Sequence, residues 1–175
     1  MYILLSNTNW KKLDINITRD EHFLDLAYHI STRSKCKRAS YGSVIVSGNT
    51  HRIISTGYNG KPRNSINDDH CYRLGLPDND PGPLCCIHSE MNALLYSNPS
   101  DRIGGTIYVS GIPCKNCMLH ILQSGLSEVV YYIDPHSIHR GNSDLEFIHE
   151  YGIDIAVRIY LRAYTARVSY DLKKY

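Results

Sequence analysis

The sequence predicts an α/β domain in which helices pack on both faces of a mostly parallel sheet, with a strand hairpin at its front. Three observations carry this. Strand-like and helix-like segments alternate along the second half of the chain, a pattern that makes parallel sheets. Ahead of them, SVIVS (43–47) and RIISTG (52–57) are β-rich runs separated by a Gly-Asn turn, which reads as a hairpin. The length of 175 residues and a hydrophobic share of 42% suffice for one domain with its own core, without covalent staples.

Each element has its own signal. Thr18 opens T-x-x-E with Glu21, a capping box in which each side chain satisfies an orphan amide. Phe23, Leu26, Ala27 and Ile30 follow at helical spacing, so a helix is expected over residues 19–33. After the hairpin comes Tyr58-Asn59-Gly60-Lys61-Pro62, then a loop through Leu84 rich in Asn, Asp, Gly and Pro. A loop of that length needs either a function or an anchor. SEMNALLYS is a helix ended by Pro99, and TIYVS from Thr106 is a strand. CKNCMLHILQSG is a helix closed by Gly125, and EVVYYI from Glu128 is a strand. NSDLEFIHEYG from Asn142 is a helix closed by Gly152, and IDIAVRIYL from Ile153 is the last strand. About five strands in a mixed sheet result. Residues 1–17 lack periodicity and read as an extension, 18–160 as the domain, and 161–175 as a mildly basic tail with helical potential.

Charge and cysteine usage exclude several classes. A formal charge of +2 gives no strong pull toward nucleic acid or membrane, and no apolar run is long enough for a span. The first fourteen residues, MYILLSNTNWKKLD, are wrongly flanked for a secretory signal, so a cytoplasmic setting is expected. In a reducing compartment the six cysteines point to metal or free thiols rather than disulfides.

Two short motifs carry the chemistry. CCIHSEM (85–91) places His88 two residues before Glu90, and GIPCKNC (111–117) places Cys114 and Cys117 three apart after Pro113. Alone, C-x-x-C reads as a structural clip or as plain thiols, and H-x-E as nothing. Both, however, sit at starts of predicted helices flanking one strand, so the helix N-termini share an edge of the sheet, where open α/β sheets place their sites. One imidazole and two thiolates leave a tetrahedral zinc one open corner for water. Cysteines three apart in a first turn lie about 60° apart around the axis, so both reach one ion. Glu90 lies about 200° from His88 in mid-helix geometry, so the two converge only if the helix points end-on at the metal and His88 occupies its entry turn. Water on such a zinc titrates near roughly pH 7, and Glu90, which is no ligand, would take its proton. A structural zinc would need a fourth ligand and have no use for Glu90. The combination matches the zinc deaminase signature.

With these residues in place, the chain resembles the cytidine deaminase superfamily and, within it, the deoxycytidylate (dCMP) deaminases. HSEMNALL resembles H-A-E-x-N-A, with Ser89 in place of the usual alanine. IPCKNCMLHILQSGLSEVVYY resembles the P-C-x-x-C helix and following strand, and CKRASYGSVIVSGNTHRIISTGYNGKPRN the N-terminal hairpin with its G-Y-N-G-x-P turn. The resemblance spans about residues 31–133. It implies a cytidine deaminase-like α/β/α fold and zinc-dependent hydrolysis of dCMP to dUMP and ammonia, in nucleotide biosynthesis toward thymidylate. Attack falls on C4 of cytosine, with Glu90 protonating N3 and then the departing amine. Asn59 resembles the family's sugar-contacting asparagine, its bland alternative being a turn residue tolerant of left-handed geometry. Tyr58 and Gly60 join it by analogy. Selecting a nucleotide requires a phosphate site, for which Lys37, Arg38, Lys61 and Arg63 are candidates; each alone reads as a solvated charge, but the group supplies at least one contact. The resemblance also implies a homo-oligomer, typically a hexamer, with dCTP as allosteric activator and dTTP as inhibitor.

Two departures stand out. Gly111-Ile112 precedes Pro113 where serine or threonine is usual, and IDPHSIHRG after Tyr132 differs from the family's tyrosine-bearing loop. The resemblance further implies a second, structural zinc held by Cys36, Cys71 and Cys86, with His70 or Cys85 fourth; the alternative is buried thiols. Competing readings are a deaminase of another cytosine nucleotide or nucleoside, such as dCTP or cytidine, a single-stranded polynucleotide deaminase, and a zinc-stapled interaction module. Near-neutral charge and dispersed basic residues disfavour the polynucleotide reading, which needs a basic groove with interleaved aromatics. No stable nucleic-acid or membrane partner is expected.

Overall fold

The computed structural model describes residues 17–65, 71, 74–76, 86–133 and 156–161. Along these run α1 (Arg19–Ser31), β1 (Gly42–Val46), β2 (Ile53–Tyr58), α2 (Ser89–Leu95), α3 (Pro99–Arg102), β3 (Thr106–Val109), α4 (Lys115–Gln123), β4 (Glu128–Ile133) and β5 (Ala156–Leu161). The strands form one mixed sheet in the order β2-β1-β3-β4-β5. β1 is antiparallel to both β2 and β3, whereas β3, β4 and β5 are parallel. The expected helix over 142–152 and the flanking segments 1–16 and 162–175 lie outside the described residues.

Alternation along the strands sorts the core into two layers. Val44, Val46, Tyr108 and Val130 face α1, where they meet Phe23, Leu24 and Ala27. Ile45, Ile107, Val109, Val129 and Tyr131 face the other side and meet Ala93 and Leu94 of α2 and Met118 and Ile121 of α4. Because both faces are covered, all five residues of β1 are buried, and a continuous apolar run rather than an alternating one is what such a strand requires. Ile45, Ile107, Ile121 and Val129 are fully buried, each contributing about 1.5–3 kcal/mol of apolar burial.

Local chemistry sets the helix ends. The capping box at α1 is formed on both sides: the Glu21 amide donates to Thr18 Oγ1 at 3.2 Å and the Thr18 amide donates to Glu21 Oε2 at 2.8 Å. Gly125, just past α4, has φ +85°, the left-handed geometry that closes a helix with least cost for glycine. Pro99 acts differently from expectation. α2 ends at Leu95, and Pro99 takes the first position of the separate short helix α3, capped by Asn98, whose side chain accepts from the Ser100 amide at 3.3 Å. Proline suits a first helical position because its missing N–H would be orphaned there. Arg102 then reaches back to satisfy the Leu94 carbonyl at 2.9 Å.

One contact decides where α2 sits. A Cβ added to Gly57 on β2 would fall 2.2 Å from the Ser89 carbonyl oxygen and 2.4 Å from the Ala93 amide nitrogen. Only a residue without a side chain lets the helix lie that close to the strand.

Candidate metal centre

His88 is the N-cap of α2 and Cys114 the N-cap of α4, both in extended backbone (φ −69°, ψ 158° and φ −70°, ψ 160°). Each helix therefore points end-on at the same place, beyond the C-terminal end of β3 and the start of β1. His88 occupies the entry turn and Glu90 the first turn of the helix, which is the arrangement the 200° separation requires. His88 Nδ1 lies 3.5 Å from Cys114 Sγ and 3.3 Å from Cys117 Sγ, and the three donor atoms are all within 4.8 Å of one another. Among the described residues, no fourth histidine, cysteine, aspartate or glutamate joins this group. One imidazole and two thiols at this spacing suit a tetrahedral zinc with one corner left over.

Electrostatics fit a cation. Cys114 is held down, to about 4, chiefly by accepting a hydrogen bond from the Cys117 thiol; burial opposes this and His88 adds to it. Cys117 is pushed up by that same bond, then by burial and by the nearby Glu90. The bond between the two thiols thus favours the thiolate at Cys114 and the thiol at Cys117. The amide of Cys117 also donates to Cys114 Sγ at 3.5 Å, so the positive end of α4 faces the sulfur.

Glu90 is 4% exposed. Burial raises its pKa above the ordinary carboxylate value, against the opposing pull of its own amide, the Ser89 hydroxyl and His88. Ser89 Oγ donates to Glu90 Oε2 at 2.9 Å, and Ser43 Oγ donates to Ser89 Oγ at 2.8 Å. Sequence reasoning noted Ser89 only as a departure and passed over Ser43, because their contact joins β1 to α2 across 46 positions.

The Tyr58–Gly60 turn lies directly beside the cluster. The Gly60 amide donates to the Ile87 carbonyl at 3.1 Å and the Ile87 amide to the Gly60 carbonyl at 2.8 Å. Asn92 Nδ2 donates to the Tyr58 carbonyl at 2.7 Å, a fastening that sequence reasoning also missed. Asn59 is buried, with Oδ1 accepting from the Tyr41 amide at 2.8 Å and Nδ2 donating to the Ala39 carbonyl at 2.9 Å. Its φ is not positive, so it serves here as a clamp between strand ends and not as a left-handed turn residue. The Gly111 departure has a partner: a Cβ there would come within 2.6 Å of the Tyr41 ring, which occupies that space.

The basic candidates divide. Lys37 is exposed and Arg38 and Lys61 are half-buried. The Arg63 guanidinium lies 5.1 Å over the ring of Tyr96, the C-cap of α2, at the end of that helix opposite His88. Cys36, Cys71 and Cys86 are half-buried and not joined in disulfides. Burial pushes the Cys36 thiol up, but hydrogen bonds from the Ala39 and Arg38 amides and from Cys71 and Cys86 outweigh it and hold the thiol below its ordinary value. His70 and Cys85 lie outside the described residues. No described helix is long and apolar enough to cross a membrane.

Comparison with known proteins agrees with this geometry. Residues 17–133 match the family described as the cytidine and deoxycytidylate deaminase zinc-binding region. A deoxycytidylate deaminase of Mycobacterium phage D29 is 39% identical over 120 residues, covering 64% of this chain and 92% of that protein. The deoxycytidylate deaminase of Saccharomyces cerevisiae is 42% identical over 120 residues, covering 64% of this chain but 36% of the yeast protein. The fold is similar to that of the dCMP deaminase from cyanophage S-TIM5, solved in complex with dCMP and dUMP, with a TM-score of 0.63, 23% identity, and coverage of 80% of this chain and 95% of that one.

Proposed function

The chain belongs to the cytidine and deoxycytidylate deaminase family, and on that footing we propose that it hydrolyses dCMP to dUMP and ammonia at a zinc ion held by His88, Cys114 and Cys117. The observation that carries this reading is the convergence of three donor atoms within 4.8 Å beside a buried carboxylate. When bound, zinc supplies the Lewis acidity that makes water a nucleophile near neutrality.

The chain's own residues supply the rest. Hydrolysis at C4 requires one proton of water to pass to ring N3, where it stays, and the other, from the new C4 hydroxyl, to pass to the amine that leaves as ammonia. Glu90 is the group suited to that traffic, since burial raises its pKa above the ordinary carboxylate value and so makes it the stronger base, and such general acid–base help is worth about 10²–10⁴-fold. Tyr58, Asn59 and Gly60 form the wall toward the sugar. Asn59 keeps one lone pair on Oδ1 and one Nδ2 hydrogen beyond its two backbone bonds, which leaves capacity for a hydroxyl. The basic candidates for the phosphate are Lys37, Arg38, Lys61 and Arg63, the last of which lies over the ring of Tyr96.

Cys36, Cys71 and Cys86 form a second, structural zinc site in this reading, with His70 or Cys85 completing it. The hydrogen bonds that reach Cys36 from Cys71 and from Cys86, and the amides aimed at Cys36, support it. A metal there would order a loop whose Gly, Asp and Pro content builds no core of its own. The family reading extends to a cytoplasmic homohexamer, activated by dCTP and inhibited by dTTP.

A specificity panel tests the proposal: ammonia release from dCMP, dCTP, CMP, deoxycytidine and short oligonucleotides, with and without dCTP as activator. Preference for dCMP supports it. Preference for another cytosine compound moves the substrate, and silence with all of them removes the enzymatic reading.

A further inference from the structure

Resting on the proposed deaminase reading, we propose that Ser43 and Ser89 form a positioning relay that reserves one oxygen of Glu90 for anchoring and leaves the other for proton transfer. Ser43, Ser89 and Glu90 occupy one buried line: Ser43 and Ser89 are fully inaccessible and Glu90 nearly so. A serine hydroxyl has one proton to give. Ser89 gives its proton to Glu90 Oε2 at 2.9 Å, so it accepts from Ser43 at 2.8 Å, and the chain of donors runs one way, from sheet to carboxylate.

The origin of the relay is rigid. Ser43 sits on β1, paired with Gly57 of β2 on one side and Val109 of β3 on the other. Ser89 sits where α2 touches Gly57 most closely. The line therefore transmits the position of the strand to the carboxylate, whose other side-chain partner is the Cys117 thiol.

The chemistry gains from this. A carboxylate that must accept a proton from one place and release it at two others needs one free oxygen and a fixed pivot. Pinning Oε2 removes the rotamers in which Glu90 would turn from the site, and the donor compensates part of the cost of burying a carboxylate. Both serines are positioning residues and neither touches substrate.

Kinetics of zinc-loaded Ser89→Ala, Ser43→Ala and the double variant on dCMP test the relay. Ser89→Ala is expected to lower kcat by about ten- to a hundredfold with KM within about twofold of wild type, because the lost bond serves a charged, buried acceptor. Ser43→Ala is expected to lower kcat less, and the double variant to be no slower than Ser89→Ala alone, since members of one network do not add. A kcat for Ser89→Ala equal to wild type, or losses that multiply in the double variant, overturns the relay. If Ser89→Ala fails to hold zinc, Ser43→Ala decides on the same criterion, because β1 carries no metal donor. If wild type deaminates none of the panel, the deaminase reading fails on its own. The relay is then judged from crystal structures of wild type and Ser43→Ala: a Glu90 carboxylate displaced in the variant supports it, and one unmoved overturns it.

Discussion

Gly60 and Ile87 exchange both of their backbone hydrogen bonds, at 3.1 and 2.8 Å, and so fasten the end of the hairpin to the residue just before His88. This bridge couples the Tyr58–Gly60 wall to the metal cluster across 27 positions of chain. With Gly57 letting α2 lie on β2, it joins the hairpin and the helix entry into one packed body.

Gly57→Ala tests that body. The new methyl would meet backbone atoms of Ser89 and Ala93, which cannot swing aside as a side chain would. A loss of about 1–3 kcal/mol in unfolding free energy is expected from the overpacking. Zinc content should fall with it, because α2 carries His88. Urea unfolding and metal analysis of the purified variant check both.

Asn92→Ala removes the 2.7 Å bond to the Tyr58 carbonyl but no metal donor. The Tyr58–Gly60 wall should loosen and KM for dCMP rise by about three- to tenfold, the worth of one ordinary hydrogen bond. The kcat should change less, since Glu90 and the cluster keep their supports. Steady-state kinetics separates the two constants.

Cys36→Ser removes the thiol toward which two amides and two other thiols converge. Two zinc ions per wild-type chain should become one, with deaminase activity retained and thermal stability lowered. A wild-type chain that binds a single zinc would contradict the structural site.

Zinc uptake at His88, Cys114 and Cys117 should release protons, because the thiols bind the metal as thiolates. The bond between the two thiols lowers Cys114 and raises Cys117, so Cys117 is the thiol that keeps its proton until metal displaces it. The sign follows: higher pH favours uptake, and retention is lost as pH falls and protons return to the thiols. Proton release on titrating the metal-free Cys36→Ser variant with zinc, read by an indicator in weak buffer, gives the count.

Much of this was legible in the sequence because it is encoded locally. The capping box at Thr18, the glycine closing α4 and the placement of His88 and Cys114 at helix starts each need only a few neighbouring residues. What could not be read joins distant segments. The insertion of β1 between β2 and β3 depends on α2 crossing from β2 to β3, which no hairpin signal contains. Asn59 resembled a sugar contact or a turn residue, and its role as a clamp on Ala39 and Tyr41 appears only once the strand ends are adjacent. Pro99 signalled a helix end, but whether another helix begins there rests on Asn98 and on Arg102 folding back to Leu94. Ser43 and Ser89 are small polar residues with nothing in their neighbourhoods to mark them as partners.

The central claim is that three donors hold a zinc with an open corner while Glu90 handles protons beside it. Ammonia release from dCMP by zinc-loaded wild type and by Glu90→Gln, at equal metal content, tests this most directly. The isosteric amide keeps shape and metal but cannot shuttle protons, so the rate should fall by about 10²–10⁴-fold. A Glu90→Gln chain that holds its zinc and deaminates dCMP at the wild-type rate would contradict it.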